Sequence, residues 1–413
     1  MAQLNVQALR QEFPILHQKV QGEKLIYFDN AATSQTPQSV LDRIVYYYQH
    51  ERANAHRAVH SLGARTTEAF ETSRQKIADF IGAGSADEIS FTSGDTESLN
   101  RVIRGLIEPR LQAGDLILTT RLEHHSSLVP LQEVCHRSGA KLVFLDLDEN
   151  FQVTKESLAP YDQNPKVKAL VTQHISNVLG VEQDIPYLSH WALRQSNCLF
   201  LVDGAQAVAH QKLDLAKWQV AAYTFSSHKM YGPMGLGVTY IRHDLLEQAQ
   251  PVCFGGEMIY QVKDDISSFK EAPWKFEAGT QAIAQIIGLA EAIDWIQAIG
   301  IKNLHQQEAE LGQRLYQGLT QVEGLEIYTP QSFAKNGIIA FNIQAIHPHD
   351  AATAYDQAGI ALRAGHHCAQ PLMRVLKIPA SLRASLMAYN TKEEVDRMIE
   401  VSHKVKEFFN YGA

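Results

Sequence analysis

The sequence CLFLVDGAQAVAHQKLDLAKWQVAAYTFSSHK, residues 198–229, holds two short apolar runs that each end in polar residues. Cys198–Val202 and Ala221–Phe225 are rich in β-branched and aromatic side chains, which is typical of buried strands. Asp203 follows the first run, and Ser226-Ser227-His228-Lys229 follows the second. Because ligands bind at the carboxyl ends of the strands in an open parallel sheet, this stretch predicts a site at that edge.

The same pattern continues on both sides, from about residue 88 to about residue 242. Amphipathic helical stretches alternate there with further short apolar runs. The predicted helices include Thr96–Leu111, Ser127–Arg137 and Pro186–Gln195, and the additional predicted strands are Glu88–Thr92, Asp115–Thr119, Lys141–Leu145 and Lys168–Thr172. This alternation predicts an α/β domain whose mainly parallel sheet is covered by helices on both faces.

After residue 282 the pattern changes to long helices and a few strands. The predicted elements are Ile283–Ala298, Lys302–Gln321, Leu325–Tyr328, Ile338–Ile343 and Lys392–Phe409. They indicate a smaller α+β domain, and we assign the segment before Asp29 to it as well. The predicted division is therefore a large domain of residues 29–282 and a small domain formed by residues 1–28 and 283–413.

Composition is that of a globular protein. The chain has 413 residues, 45% hydrophobic and 20% charged, which is enough to bury a large core. Its 37 basic and 45 acidic residues give a net charge of -8, and the basic residues are scattered, so we expect no nucleic-acid partner. No apolar run approaches the roughly 20 residues of a membrane span, and the first residues lack the order of a secretory signal. We therefore expect a cytoplasmic protein without a membrane partner.

The sequence lacks the motifs of several common metal and nucleotide sites. The four cysteines lie far apart and form no Cys-x-x-Cys pair, so we expect neither a structural metal site nor a disulfide framework. The sequence also lacks the glycine patterns of a nucleotide P-loop and of a dinucleotide-binding turn.

A phosphate site is suggested by the residues after two predicted strands. A phosphate binds at a helix amino end, where free N–H groups and hydroxyls are available. Gly94 and Thr96 open the helix after the strand at residues 88–92, and Ser226 and His228 follow the strand at residues 221–225.

Three further residues fit an aromatic cofactor that carries a carbonyl group. Asp203 could keep a pyridine nitrogen protonated, and His124 could stack on the ring. Lys229, beside His228, could hold the carbonyl carbon as a Schiff base if its pKa were depressed. Together with the phosphate site, these requirements are those of pyridoxal phosphate.

Five motifs, spaced in order along the chain, resemble one enzyme family. They are Tyr27-Phe28-Asp29-Asn30-Ala31-Ala32-Thr33, His174-Ile175-Ser176-Asn177-Val178-Leu179-Gly180, Val202-Asp203-Gly204-Ala205-Gln206-Ala207, Ser226-Ser227-His228-Lys229-Met230-Tyr231-Gly232-Pro233, and Arg363-Ala364-Gly365-His366-His367-Cys368-Ala369-Gln370-Pro371-Leu372-Met373. They resemble the pyridoxal-phosphate cysteine desulfurases of the sulfur-mobilisation type (SufS-like, group II) in the class V aminotransferase family. The resemblance implies fold type I, with a large domain built on a mainly parallel seven-stranded sheet and a smaller α+β domain.

The resemblance also implies roles for individual residues around pyridoxal phosphate. Lys229 would hold the cofactor, Asp203 would pair with the ring nitrogen and His124 would stack on the ring. The other implied cofactor-binding residues are Asn177 and Gln206 at the ring oxygen, and Gly94, Thr96, Ser226 and His228 at the phosphate. Thr280 would reach the phosphate of the partner subunit, so the resemblance implies a homodimer with shared active sites.

Cys368 determines the reaction that the resemblance implies. It would take sulfur from L-cysteine as a persulfide and leave L-alanine. Arg383 would bind the substrate carboxylate, with Arg363 and Asn177 as further substrate contacts. The sulfur would pass to an acceptor protein for iron–sulfur cluster assembly, and we expect that acceptor to dock near residues 363–373.

Two alternatives remain open at this point. The same scaffold also suits a selenocysteine lyase or another class V lyase or aminotransferase. A catalytically impaired sulfur-assembly scaffold is the second, because Asp95 and Gln281-Ala282 depart from the family pattern. Phe254 and Met234 depart from that pattern as well. A carboxylate at position 95 would be unfavourable beside a phosphate dianion unless it points away.

Overall fold

The computed structural model describes residues 4–56 and 59–410. The strands are β1 (Lys19–Val20), β2 (Glu23–Lys24), β3 (Ile26–Tyr27), β4 (Ile89–Thr92), β5 (Leu116–Thr119), β6 (Lys141–Phe144), β7 (Val167–Gln173), β8 (Leu199–Asp203), β9 (Ala222–Ser226), β10 (Gly237–Ile241), β11 (Ile259–Val262), β12 (Ser267–Phe269), β13 (Leu325–Ile327), β14 (Ile338–Ile343), β15 (Ile360–Ala361), β16 (Arg363–Gly365) and β17 (Ser381–Ser385). The helices are α1 (Val6–Gln11), α2 (Gln38–Tyr46), α3 (Ser61–Ile81), α4 (Asp95–Val102), α5 (His125–Ser138), α6 (Lys155–Leu158), α7 (Ile185–Leu193), α8 (Leu215–Trp218), α9 (Ile283–Ile299), α10 (Ile301–Leu319), α11 (Pro348–Gln357), α12 (Gln370–Leu376) and α13 (Lys392–Asn410).

A seven-stranded sheet forms the centre of the molecule, in the order β4-β10-β9-β8-β7-β5-β6. Strands β9, β8, β7, β5 and β6 are parallel neighbours, and β10 runs antiparallel to both β4 and β9. Every residue of β8 and β9 is buried, which explains why these strands read as continuous apolar runs. The predicted mainly parallel seven-stranded sheet is confirmed, and the six strands predicted from the apolar runs match β4 to β9 within one or two residues.

Helix α9 is buried along most of its surface, and Glu291, Asp294 and Gln297 lie on the side that reaches solvent. It packs against α2 and α3, and its residues Ile286, Leu289 and Ile293 lie in the same core cluster as Phe91 and Val202 of the large sheet. A largely apolar helix with only a narrow polar strip is expected in such a position.

A second, four-stranded antiparallel sheet has the order β13-β14-β17-β16. Helices α10, α11 and α13 contribute to its core, in which Leu311, Phe341, Tyr355, Leu382 and Met398 are fully buried. This unit has the α+β character that was predicted for the carboxyl-terminal part of the chain.

The amino-terminal segment contacts both units. Strand β3 pairs in parallel with β15, and Phe28 lies in the core of the smaller unit. Leu9, Phe13 and Leu16, by contrast, share the core cluster of α9 and the large sheet. The division at residues 28/29 and 282/283 therefore stays a prediction, and its ends at residues 1–3 and 411–413 lie outside the described residues.

Across residues 4–56 and 59–410, no single helix has the length and apolar character needed to cross a membrane. Helices α9 and α10 meet the length and composition criteria only as a pair, and they meet at a bend of 77°.

Candidate active site

A cavity of about 660 Å³ opens at the carboxyl ends of the large-sheet strands. Its walls come from the residues after β4, β8 and β9 and from the loop after β16 of the smaller unit. It is lined by almost all of the sequence-predicted site residues: Gly94, Thr96, His124, Asn177, Asp203, Gln206, Ser226, His228, Lys229, Arg363, Cys368 and Arg383. The topology of the sheet thus brings residues separated by almost 300 positions to one edge.

The amino end of α4 forms one end of the cavity. The Asp95 N–H donates to Ser226 Oγ at 2.8 Å, and the Thr96 hydroxyl lies 2.7 Å from Ser126 Oγ. His228 Nδ1 is buried and has no hydrogen-bond partner in the described structure. Hydroxyls, an unpaired imidazole nitrogen and the first N–H groups of a helix are the groups that an anion requires.

Asp203 ends β8 on the cavity floor. Its Oδ1 accepts from the Ala205 N–H at 3.0 Å, and burial raises the pKa of the carboxyl, against the opposing charge of Lys229. A buried carboxylate that has few other partners can stabilise a cationic ring nitrogen.

Lys229 follows β9 in a short helical turn that is anchored to the amino-terminal segment. The His228 carbonyl accepts from the Ser34 N–H at 2.9 Å and from the Thr33 hydroxyl at 3.1 Å. Burial lowers the pKa of the Lys229 amine, although the negative charges of Asp203 and Asp95 oppose this shift. A lowered pKa leaves more of the amine neutral and therefore nucleophilic.

His124 caps the amino end of α5 and borders the cavity. Its Nδ1 accepts from the Ser126 N–H at 3.1 Å, which fixes the ring. Burial, assisted by the positive charge of Lys229, lowers the pKa of His124 to about 3. The ring is therefore uncharged at neutral pH and presents an aromatic face.

Cys368 lies in a tight loop and exposes its side chain to the cavity. Both His367 and Cys368 have left-handed backbone, with φ of 50° and 54°. The Asn177 side-chain amide donates to the His367 carbonyl at 2.8 Å, and His367 Nε2 lies 3.0 Å from the Ser381 carbonyl. The His125 N–H donates to the Cys368 carbonyl at 2.7 Å, so the loop is fixed on both sides of the cysteine.

Arg383 is buried beside this loop and already has an acidic partner. Its Nη2 donates to Asp29 Oδ1 at 2.9 Å and its Nη1 to the Asn177 carbonyl at 2.8 Å. Arg363 is half-exposed, and its Nη1 lies 3.8 Å from Asp29 Oδ2. Two guanidinium groups therefore converge on one end of the cavity.

Thr280 lies outside this cavity. It lines a separate, narrow pocket together with His56, Glu257 and Glu277. Within one chain it therefore does not meet the predicted phosphate site at α4.

Three residues were missed by sequence reasoning. Ser126 lies between Thr96 and His124, and Asp29 pairs with Arg383. Glu123 is buried, and burial raises its pKa to about 8. Asp29 lies within one of the family motifs and Glu123 directly precedes His124, so their positions in the sequence could have identified both residues. No sequence feature marks Ser126.

Comparison with known proteins identifies the family. The family model described as aminotransferase class V matches residues 26–398. The chain belongs to the class V aminotransferase family. It is a pyridoxal-phosphate-dependent enzyme with the fold type I architecture of that family.

Within this family, the chain is similar to several proteins named as cysteine desulfurases. A probable cysteine desulfurase of Staphylococcus aureus strain N315 is 43% identical over 407 residues, which are 98% of each chain. A cysteine desulfurase from Thermococcus onnurineus NA1, solved in its apo form, has 37% identity and a TM-score of 0.92 over 98% of this chain and 99% of that one. The cysteine desulfurase CsdA from Escherichia coli has 34% identity and a TM-score of 0.90 over 98% and 100%.

Proposed function

We propose that this enzyme is a SufS-like cysteine desulfurase that takes sulfur from L-cysteine onto Cys368 and releases L-alanine. The observation that carries the proposal is the exposed Cys368 side chain on the wall of the same cavity as Lys229 and Asp203. An aminotransferase has no use for a thiol at this point. The names of the relatives at 43%, 37% and 34% identity support the same reaction.

The cavity fits pyridoxal phosphate. Thr96, Ser226 and His228 would hold the phosphate at the amino end of α4, where His228 Nδ1 lacks a partner. Asp203 would pair with the ring nitrogen and His124 would cover the ring. When bound, the cofactor withdraws electrons from the substrate Cα.

Two amides at the rim would orient the ring oxygen. Asn177 Oδ1 is buried without a partner, while Asn177 Nδ2 is held by the His367 carbonyl. Gln206 Nε2 donates to the Ala31 carbonyl at 2.8 Å, which fixes its side chain toward the cavity.

Lys229 would hold the cofactor and then move a proton. A buried amine of lowered pKa attacks a carbonyl carbon more readily than an ordinary lysine. Once the substrate amine has displaced it, the freed Lys229 amine can take the proton from the substrate Cα.

Arg383 and Arg363 would bind the substrate carboxylate. A guanidinium group matches the two oxygens of a carboxylate with two parallel hydrogen bonds. Arg383 is rigid because Asn177 and Asp29 hold it, whereas the half-exposed Arg363 can approach from the solvent side.

Cys368 would then receive the sulfur. Its thiolate attacks the substrate sulfur, so that a sulfur–sulfur bond forms as the substrate carbon–sulfur bond breaks. The substrate carbon keeps the electron pair of the broken bond and is protonated to give alanine, while the persulfide stays on the enzyme.

The test compares two exposed cysteines. Cys368→Ser should abolish alanine formation from L-cysteine and leave the visible absorption of the bound cofactor unchanged. Cys253→Ser, which removes another exposed thiol, should keep full activity. Unimpaired turnover by Cys368→Ser would contradict the proposal, and turnover of L-selenocysteine but not L-cysteine would reassign the enzyme as a selenocysteine lyase.

The enzyme would act as a homodimer in which Thr280 completes the phosphate site of the partner subunit. Large apolar side chains are exposed on two segments, α2 with the turn after it and the region of the β11–β12 hairpin. They are Leu41, Val45, Tyr46, Tyr48, Phe254, Tyr260, Val262, Ile266 and Phe269. Exposed apolar surface of this kind is typical of subunit interfaces.

Subunit mixing tests the shared site. Lys229→Ala and Thr280→Ala should each have little activity alone. After they are unfolded and refolded together, each heterodimer contains one site with both native residues, so activity should return. No recovery, despite heterodimers detected by mass spectrometry, would contradict sharing of the site.

The persulfide would be delivered to an acceptor protein for iron–sulfur cluster assembly in the cytoplasm. Arg363, His366, Cys368 and Gln370 are exposed around the thiol, which leaves it accessible to a docking partner. All four cysteines are free, as expected for a reducing compartment. Failure of every candidate acceptor to increase turnover would refute delivery and leave the desulfurase reaction intact.

A further inference from the structure

Asp95 is the departure from the family pattern that lies deepest in the site. It is the first residue of α4, and it is buried against the ends of two neighbouring strands. Its backbone N–H is bonded to Ser226 of β9. Asp95 and Asp203 line the same cavity, and Asp203 of β8 is the register partner of Thr224, two residues before Ser226 on β9. The carboxyl groups of Asp95 and Asp203 therefore lie close together in a buried part of the cavity wall.

The two carboxyl groups cannot both carry a full charge there at low cost. Buried like charges repel strongly because little solvent screens them. Among the residues that the structure describes, nothing donates a hydrogen bond to Asp95 Oδ1, which is fully buried. If Asp95 is neutral, its O–H can donate to Asp203 and only one negative charge remains. This removes both the repulsion and the missing hydrogen bond.

The surroundings decide which of the two keeps the proton. Asp203 accepts from the Ala205 N–H, and the positive charge of Lys229 favours its ionised form. Burial and the charge of Asp203 hold the pKa of Asp95 well above its usual range, although the charge of Lys229 opposes this shift. The proton is therefore assigned to Asp95.

We propose that Asp95 is a positioning residue, held as a neutral carboxylic acid that donates a hydrogen bond to the ionised Asp203. The inference rests on the proposed role of Asp203 toward the ring nitrogen of pyridoxal phosphate. The hydrogen bond fixes the orientation of Asp203 and disperses its charge. The neutral state also removes the repulsion that an ionised carboxylate would exert on a phosphate at the amino end of α4.

A pH dependence follows. When Asp95 ionises as the pH rises, a second negative charge faces both Asp203 and the phosphate site, so binding of pyridoxal phosphate weakens. The groups that face Asp95 are Asp203, Thr224, Ser226 and Lys229. They are unchanged in Asp95→Asn, which keeps the shape and a donor but cannot ionise, so the difference between the two proteins isolates Asp95.

Infrared spectroscopy of the full-length protein, with and without pyridoxal phosphate, tests the protonation state. The wild type should show carbonyl bands of protonated carboxylic acids at neutral pH. One band should disappear in Asp95→Asn. A second band should disappear in Glu123→Gln, because burial raises the pKa of that glutamate to about 8. A spectrum in which Asp95→Asn removes no band would overturn the proposal.

Equilibrium dialysis with pyridoxal phosphate gives an independent measurement. As the pH rises through the titration of Asp95, the affinity of the wild type should fall relative to that of Asp95→Asn, by up to tenfold for each pH unit. Parallel curves for the two proteins would overturn the proposal. If neither protein binds pyridoxal phosphate, the proposed function fails, and the infrared band alone still decides whether Asp95 is neutral.

Discussion

Arg383 and Asp29 form an ion pair in the wall of the candidate active site, with Nη2 of the arginine 2.9 Å from Oδ1 of the aspartate. Arg383 is almost completely buried, whereas Asp29 is about one-quarter exposed, with a side-chain accessibility of 24%. The Nε of Arg383 is buried without a partner in the described structure. Asn177 and Asp29 therefore fix the guanidinium group in place on the cavity wall.

Substitution of Arg383 should act mainly on substrate binding. Arg383→Lys keeps the charge but loses the planar pair of donors, so the KM for L-cysteine should rise by about tenfold to a hundredfold, the effect of losing one or two charge-assisted hydrogen bonds. Steady-state kinetics measure this change. Arg397→Lys, on the exposed face of α13, is the matched control. An unchanged KM in Arg383→Lys would exclude this arginine from substrate binding.

His174 should make the protein sensitive to acid. It is buried, its backbone N–H donates to the Asp203 carbonyl at 2.8 Å, and its Nδ1 lies 3.0 Å from the Tyr223 hydroxyl. Burial lowers the pKa of His174 to about 3. In the unfolded chain the pKa is about 6.5, so the unfolded state binds the proton first as pH falls. The resulting stability loss begins below about pH 6.5 and reaches about 2 kcal/mol at pH 5.

Urea unfolding at about pH 7.5 and about pH 5 checks this value. In His174→Gln, which cannot titrate, the loss of unfolding free energy between the two pH values should be smaller by about 2 kcal/mol. His349→Gln removes an exposed histidine and should leave the difference as in the wild type. Equal pH dependence in His174→Gln and the wild type would show that this histidine does not carry the effect.

Sequence reasoning found the chemistry at strand ends because local pattern determines it. The apolar run before Asp203 predicts a buried strand, and a parallel sheet then brings its end next to Lys229. The pairing of Arg383 with Asp29 could not be predicted in this way, because 354 positions separate them and the contact forms only where the segment after β3 bridges to β17. Likewise, Asp95 could be recognised as unusual from the sequence. Its proximity to Asp203 depends on the register of β8 with β9 and on where α4 begins, which local pattern does not give.

The Cys368 loop should depend on its anchor. His367 is buried and has a φ of 50°, a conformation that costs free energy unless the surroundings enforce it. His367→Ala loses the contact with Ser381, so the loop should become more mobile and sulfur transfer should slow by about tenfold, as for loss of one buried hydrogen bond. His366→Ala is the comparison: it removes an exposed contact, from the Cys368 N–H to Nδ1 at 3.3 Å, and should slow sulfur transfer less than His367→Ala.

Hydrogen exchange separates mobility from chemistry in this loop. The backbone amides of residues 364–370 should exchange faster in His367→Ala than in the wild type, while those of the large sheet should not change. If activity falls without faster exchange in the loop, His367 acts directly on the reaction and the anchoring role is wrong.

Glu277 should be the acid whose removal costs the most stability. Both of its oxygens accept from Arg74, at 2.7 and 2.8 Å, and Oε1 also accepts from the Phe91 N–H at 3.0 Å. Glu277→Gln places an amide donor against the buried guanidinium group and leaves that charge without a full partner. The free energy of unfolding should fall by about 3–5 kcal/mol.

Glu71→Gln is the matched control for Glu277→Gln, because Glu71 pairs with the same arginine from a position with 34% side-chain exposure. Its loss should cost about 1 kcal/mol or less, since water can replace the carboxylate there. Urea unfolding of the three proteins gives the comparison. Equal costs for the two substitutions would mean that the buried position of Glu277 adds nothing to stability.

Glu277→Gln should also weaken cofactor retention in the dimer, because Thr280 follows Glu277 by three residues. Absorption spectra recorded after gel filtration would detect this loss.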